Sequence, residues 1–166
     1  MLIRWKLKRH KRSATQIAFN MNIENTKRII NACSSLFSTM GDEQERLQAG
    51  EHFTPIAFGF ECGDGWADLL IELCTNIQSY FNTLPKHISE DIVALQVKEK
   101  YGTLRFYISS HDETISKLIK DAERKSAVTC EVCGKPGSVR GKSWLYTACD
   151  EHTSLNDQIN QSEPTR

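Results

Sequence analysis

The sequence predicts an α+β fold: helices packed on a β-hairpin or small antiparallel sheet, followed by a small C-terminal Cys/His module. Three stretches carry that expectation. Residues 66–84 hold a long amphipathic helix pattern, residues 92–110 hold two strand-like runs around a glycine, and residues 130–152 gather three Cys and one His. The chain has 166 residues, 39% of them hydrophobic and 25% charged, enough apolar material for one core, so a wholly disordered chain is excluded. No apolar run approaches the ~18 residues a membrane span needs, so no membrane partner is expected.

The chain divides into a basic arm (1–20), an α+β core (21–128), the Cys/His module (129–156) and a polar tail (157–166). The arm carries Arg4, Lys6, Lys8, Arg9, Lys11 and Arg12 without an acid. The rest then holds 15 basic and 21 acidic residues, a balance of −6. Such an arm is a solvated tail or a contact for nucleic acid or an acidic partner. Met21 opens a plausible start, which would make residues 1–20 an upstream extension. No apolar segment follows the charges as in a secretory signal, so the expected compartment is the cytoplasm, with free thiols.

Residues 23–40 read as a helix, with Ile29, Ile30, Cys33, Leu36, Phe37 and Met40 at three- and four-residue intervals and Gly41 as its stop. Residues 41–52 are polar and acidic and read as a loop or a short helical turn. Residues 54–60 read as extended, with Pro55 at a strand start. Glu61-Cys62-Gly63-Asp64-Gly65-Trp66 forms a tight turn. Asp64 is placed to cap the following helix, whose stripe runs from Trp66 through Leu70 and Ile77 to Leu84 before Pro85 ends it. Cys33 and Cys74 fall among apolar neighbours as small core residues.

In the hairpin, Gly102-Thr103 suits a type II′ loop. That register pairs Tyr101 with Leu104, Glu99 with Phe106 and Val97 with Ile108. One face is then apolar. The other shows Gln96, Lys98, Lys100, Arg105 and Tyr107. A helix follows at 111–126, with Ser110 and Glu113 at capping-box spacing.

Cys130-Glu-Val-Cys133-Gly134 and Cys149-Asp-Glu-His152 give C-x2-C, fifteen residues, then C-x2-H. Zn2+ is borderline soft and takes four tetrahedral N/S ligands, so Cys130, Cys133, Cys149 and His152 are the expected set for one ion. Four protein ligands leave no open position for water, so the ion is expected to be structural. Residues 138–147 can form a small hairpin. If Cys149–His152 opens a short helix, the module is treble-clef-like; otherwise it is a knuckle.

Other residues carry possible chemistry. Lys98, Lys100, Arg105 and Tyr107 could hold a phosphate backbone and stack a base, or dock an acidic protein surface. The bland alternative is a helix-covered face with internal ion pairs. Glu99 points to the apolar side and needs a partner or a raised pKa. Glu61 and Asp64, with Glu99, form a possible acidic cluster that a metal-dependent hydrolase or nuclease could use. Cys62 with His52 or His111 could form a nucleophilic pair. No phosphate loop, dinucleotide fingerprint or serine elbow is present.

The segments Gly59-Phe-Glu-Cys-Gly-Asp-Gly-Trp66, Val97-Lys-Glu-Lys-Tyr-Gly-Thr-Leu-Arg-Phe-Tyr107, Cys130-Glu-Val-Cys-Gly-Lys-Pro-Gly137 and Thr147-Ala-Cys-Asp-Glu-His152 resemble a family of small, uncharacterised zinc-binding proteins of phages, prophages and their bacterial hosts. The resemblance spans about residues 55–152 and implies a mobile-element context and a zinc knuckle, with no activity to carry over. The leading expectation is therefore a non-enzymatic protein that binds and modulates a host macromolecule, such as an enzyme or defence system. The alternative is nucleic-acid binding through the arm and the cationic hairpin face. A metal-dependent hydrolase stands third. The sequence sets no oligomeric state.

Overall fold

The computed structural model describes residues 21–153; the basic arm 1–20, module residues 154–156 and the tail 157–166 lie outside the described residues. The fold is α+β. Two helices stand where one was expected. Helix α1 (Ile23–Ala32) starts at Asn22, whose side chain accepts the Asn25 amide, and ends at Cys33. A 3-10 turn, Ser34–Phe37, follows and drives Leu36 and Phe37 into the core. The serine pair there offers the backbone local alternatives to a continuous helix. Helix α2 (Met40–Ala49) then begins. Gly41 is no stop, because it sits in the first turn of α2, and the segment expected as a loop or short helical turn is a ten-residue helix. Gly50 ends it at φ 75°, with the Glu51 amide returning to the Arg46 carbonyl.

Residues Pro55–Phe58 form a 3-10 turn, not the expected strand. Proline's fixed φ and missing N–H suit a first helical position. The strand is confined to β1 (Phe60–Glu61). Helix α3 (Ala67–Phe81) buries Leu70, Leu73 and Ile77 on its inward stripe, as its periodicity requires. A short helix, α4 (Lys86–Glu90), follows Pro85.

Strands β2 (Ala94–Lys100) and β3 (Thr103–Ile108) form the hairpin, and the sheet order is β1-β2-β3. β1 runs parallel to β2, with α3 as the crossover. β2 and β3 are antiparallel, pairing Lys98 with Arg105, Glu99 with Leu104 and Lys100 with Thr103. This register moves each partner by two residues from the expected one, so Glu99 faces Leu104 and not Phe106, and every side chain keeps its face. The two-residue loop is Tyr101-Gly102, with φ of 55° and 78°, the backbone of a type I′ turn. A register shift at Leu95 interrupts the start of β2.

Helix α5 (Glu113–Ser126) is capped by Asp112, not Ser110; the Asp112 carboxylate accepts the Ile115 amide. Helix α3 packs between α1 and α5, and α5 lies against β3. The buried Ser126 hydroxyl accepts the Leu104 amide, which blunts the open edge of β3. The main core gathers Ile29, Leu36, Trp66, Leu70, Val97 and Leu104 between the helices and the inner sheet face. Cys33 and Cys74 lie fully inside it, and burial pushes both thiols up, so they act as small apolar residues. A second, small core of Cys130, Ala148 and Cys149 belongs to the C-terminal module, where β4 (Ser138–Arg140) pairs with β5 (Tyr146–Ala148). A single 3-10 turn, Asp150–His152, follows β5. No helix among the described residues is long and apolar enough to cross a membrane.

Candidate metal centre and the junction that holds it

Two local turns supply the ligands. In the first, the Gly134 amide returns to the Cys130 carbonyl, and the Cys130 amide is held by the Lys135 carbonyl, so the Cys130 and Cys133 sulfurs converge on one point. Gly134 sits at φ 74°, in the left-handed region glycine adopts freely. In the second, the turn after β5 returns the His152 amide to the Cys149 carbonyl. Cys130, Cys133, Cys149 and His152 thereby bring one ligand atom each within 4.8 Å of one another.

The ligand spacing tests whether an ion fits. A tetrahedron with Zn–S arms of ~2.3 Å has S···S edges of about 3.8 Å, and S···N edges of about 3.6 Å. Cys133 Sγ lies 3.7 Å from Cys149 Sγ, and His152 Nδ1 lies 3.6 Å from Cys130 Sγ and 3.2 Å from Cys149 Sγ. Three thiols and an imidazole at these separations suit a zinc-type site, with His152 presenting Nδ1 to it. Cys130 and Cys149 are buried and Cys133 is exposed.

The Glu61–Trp66 turn grips the first ligand loop, a role that sequence reasoning missed. The Gly65 amide donates to the Glu131 carbonyl at 2.8 Å, and the Gly63 amide donates to Glu131 Oε1 at 2.9 Å. The indole N–H of fully buried Trp66 donates to the Thr129 carbonyl at 2.7 Å. At Gly65 the fit is backbone to backbone. A Cβ on Gly65 would fall 2.6 Å from the Cys133 and Gly134 nitrogens and nearer still to the Cys130 carbonyl oxygen. On the other side, the Thr147 hydroxyl donates to the Gly102 carbonyl at the hairpin tip. The Glu131 amide donates back to the Thr147 carbonyl. The glycine turn, the hairpin tip and both ligand loops thus meet at one junction.

The remaining candidates separate. Asp64 does not cap its own helix. Its Oδ1 accepts the Asn22 amide and the Asn25 side-chain amide, each at 2.9 Å, and so ties the start of α1 to the turn. Glu61 pairs with Gln96 Nε2 on the outer sheet face, while alternation along β2 puts Glu99 on the inner face. The expected acidic cluster of Glu61, Asp64 and Glu99 is therefore split across the sheet. The metal-capable group among the described residues is the Cys3His set. Cys62 is fully buried, and burial together with the carboxylates of Glu131, Asp64, Glu61 and Glu99 pushes its thiol well up, which removes it as a nucleophile.

Glu99 lies opposite Leu104, not Phe106. Its Oε1 accepts the Gly102 amide, and burial raises its pKa against the opposing pull of that amide and of Arg105. Glu131 is raised to about 7, chiefly by burial and in part by the Glu99 charge, with the Gly63 amide opposing. A carboxyl raised in the fold favours the folded state at low pH, and that advantage is lost as pH rises from its unfolded value through its folded one. Glu99→Gln keeps an acceptor for Gly102 and removes the buried charge. The variant should match the wild type near pH 4 and exceed it at pH 8, by roughly a few tenths of a kcal/mol because solvent screens a half-buried group. Thermal melts at both pH values check this; a variant less stable at pH 8 would show that the charge itself is needed.

On the outer face, Lys98 Nζ stands 5.8 Å from the Tyr107 ring centroid, and Lys100 Nζ stands 5.2 Å from that of Tyr101. Arg105 donates to Thr103 Oγ1 and to the Leu104 carbonyl. Lys98 faces Arg105, so the like-charge pair expected between Lys100 and Arg105 falls two residues along the strand. Among the described residues no carboxylate lies within ion-pair distance of Lys98, Lys100 or Arg105. By contrast, Arg28, Arg46, Lys86, Arg124, Lys125, Lys135 and Arg140 each hold an acidic partner.

No family model, no curated protein and no solved structure matches this chain.

Proposed function

We propose that this chain is a non-enzymatic binding protein in which a structural Zn2+ ion holds the C-terminal module, and in which the outer face of β2 and β3 receives a macromolecular partner. The observation that carries the reading is the trio Lys98, Lys100 and Arg105, which make no ion pair among the described residues and stand with exposed tyrosines on one face of the sheet, although Glu61 flanks Lys98 and Glu99 feels the Arg105 charge. Like charges placed directly across a strand pair cost energy unless an anion offsets them, and a bound partner can supply that anion. The four protein ligands fill a tetrahedral shell, so the ion's work is to fold the module. The mobile-element context implied by the motif resemblance directs the search to bacterial host macromolecules, such as a host enzyme or defence system.

The test compares tagged wild type with a Lys98→Gln, Lys100→Gln, Arg105→Gln variant, both checked for zinc content and helical signal. Each is used to capture partners from bacterial lysate, with and without nuclease. We expect a stoichiometric partner on the wild type that is lost on the variant. Equal recovery on both would remove this face as the binding surface.

A further inference from the structure

We infer that the partner of this face is single-stranded nucleic acid, and that the zinc module supplies part of the platform. The inference rests on the proposed binding role of the β2–β3 face and names its ligand class. A strip runs along that face from Tyr107 through Lys98, Arg105 and Lys100 to Tyr101. Lys98 and Lys100, two residues apart on one strand, are about 7 Å apart along it, close to the spacing of successive phosphates in an extended strand.

The aromatic residues decide between partner classes. Tyr107 is 43% exposed and Tyr101 67% exposed, each beside a lysine. A protein surface can also bury tyrosines, but it sets no requirement that rings stand beside cations at phosphate spacing. Single-stranded nucleic acid uses both, because phosphates meet the cations and unpaired bases stack on the rings. Duplex nucleic acid keeps its base faces inside the stack and cannot offer them.

The module extends the platform. The backbone of Tyr146 and the side chain of Val139 pack against Gly102 at the hairpin tip. Trp144, two residues before Tyr146 in the β4–β5 loop, is 66% exposed. It is a third exposed ring, carried by the loop that leads into the strand packed on the hairpin tip. On the opposite border, Glu61 lies beside Lys98 on β1 and is held by Gln96, which turns phosphates away from that side. The strip is therefore bordered on its β1 side and runs along β2 to the hairpin tip, where the module packs.

The probe is a fluorescein-labelled oligodeoxythymidine, read by anisotropy against zinc-loaded protein across a salt series. Three phosphates neutralised on a single strand give a slope of log K on log salt of about −2. The Lys98→Gln, Lys100→Gln, Arg105→Gln variant should lose that slope along with the affinity. Tyr107→Ala and Trp144→Ala should each weaken binding roughly tenfold while leaving the slope unchanged, because stacking releases no counterions. An unlabelled duplex of the same length should compete poorly. Equal competition by duplex, or no binding by wild type at low salt, would overturn the inference. A lysate partner that survives nuclease, is lost on the charge variant, and accompanies no oligonucleotide binding would keep the binding face and replace nucleic acid with protein. Equal lysate recovery on wild type and charge variant would end the binding face itself.

Discussion

Removing zinc with a chelator should unravel residues 129–153 and leave the helical core standing. The two cores differ in what they rest on. The main one closes around Trp66, Leu70 and Val97 without help from the module, whereas the small one is little more than Cys130, Ala148, Cys149 and their partly buried neighbours. So small an apolar cluster cannot offset the entropy of ordering the loops, so the ion must. Structural zinc contributes on the order of 10 kcal/mol in isolated modules of this size. Hydrogen exchange of the apo protein should show lost protection over 130–153 and at the Gly63, Gly65 and Gly102 turns that grip the module. Far-ultraviolet circular dichroism should keep most of its helical signal. Cys130→Ser should behave like the chelated wild type. Collapse of the whole chain in the same chelator step would show one cooperative unit instead of two, and full protection without metal would remove the zinc assignment.

Gly65→Ala should be among the most damaging single substitutions in the chain, although it adds one methyl group. That methyl would enter the space held by the Cys130 carbonyl and the Cys133 and Gly134 nitrogens, all main-chain atoms of the first ligand loop. Main chain cannot rotate aside as a flexible side chain can, so the loop must lift off the turn. Lifting it breaks the bond from the Gly65 amide to Glu131 and strains the Trp66 bond to Thr129. Overpacking plus these losses should cost about 3 kcal/mol or more and weaken zinc binding along with stability. Gly41→Ala is the internal control. It lies in α2 with nothing within 4 Å of a new Cβ, so it should be neutral or stabilising by up to ~1 kcal/mol. Melting curves and a zinc-release titration on the two variants check both expectations. A Gly65→Ala protein with wild-type melting and affinity would show that the contact yields without cost.

What could be read from the sequence follows the range of each interaction. The ligand set is legible because each pair sits in one turn, where a two-residue gap fixes the geometry locally. Helix α3 is legible because its stripe repeats at the helical period. The hairpin was legible as a hairpin but not in register. A type I′ loop asks a left-handed conformation of Tyr101, which local preference resists, so glycine-first spacing suggested the other loop. A local and a distant partner together override that preference: the Glu99 carboxylate accepts the Gly102 amide, and the Thr147 hydroxyl donates to the Gly102 carbonyl. The break between α1 and α2 escaped for a related reason. The 3-10 turn keeps Leu36 and Phe37 pointing inward, so the apolar pattern runs through it unbroken. The junction at the glycine turn was invisible because its two halves lie more than sixty residues apart, as in the Gly63 to Glu131 bond.

That junction also bears on how related chains can diverge. Where two loops meet through side chains, a change on one can be answered by a change on the other. Gly63 and Gly65 meet residues 130–134 largely through peptide groups, and such groups offer no compensating substitution. The two glycines should therefore be inherited as a set with the four metal ligands. A descendant that loses the cysteines no longer has a loop to accommodate, and its glycines are released to drift. Across homologous chains, the loss of Cys130 or Cys133 should coincide with side chains appearing at positions 63 and 65.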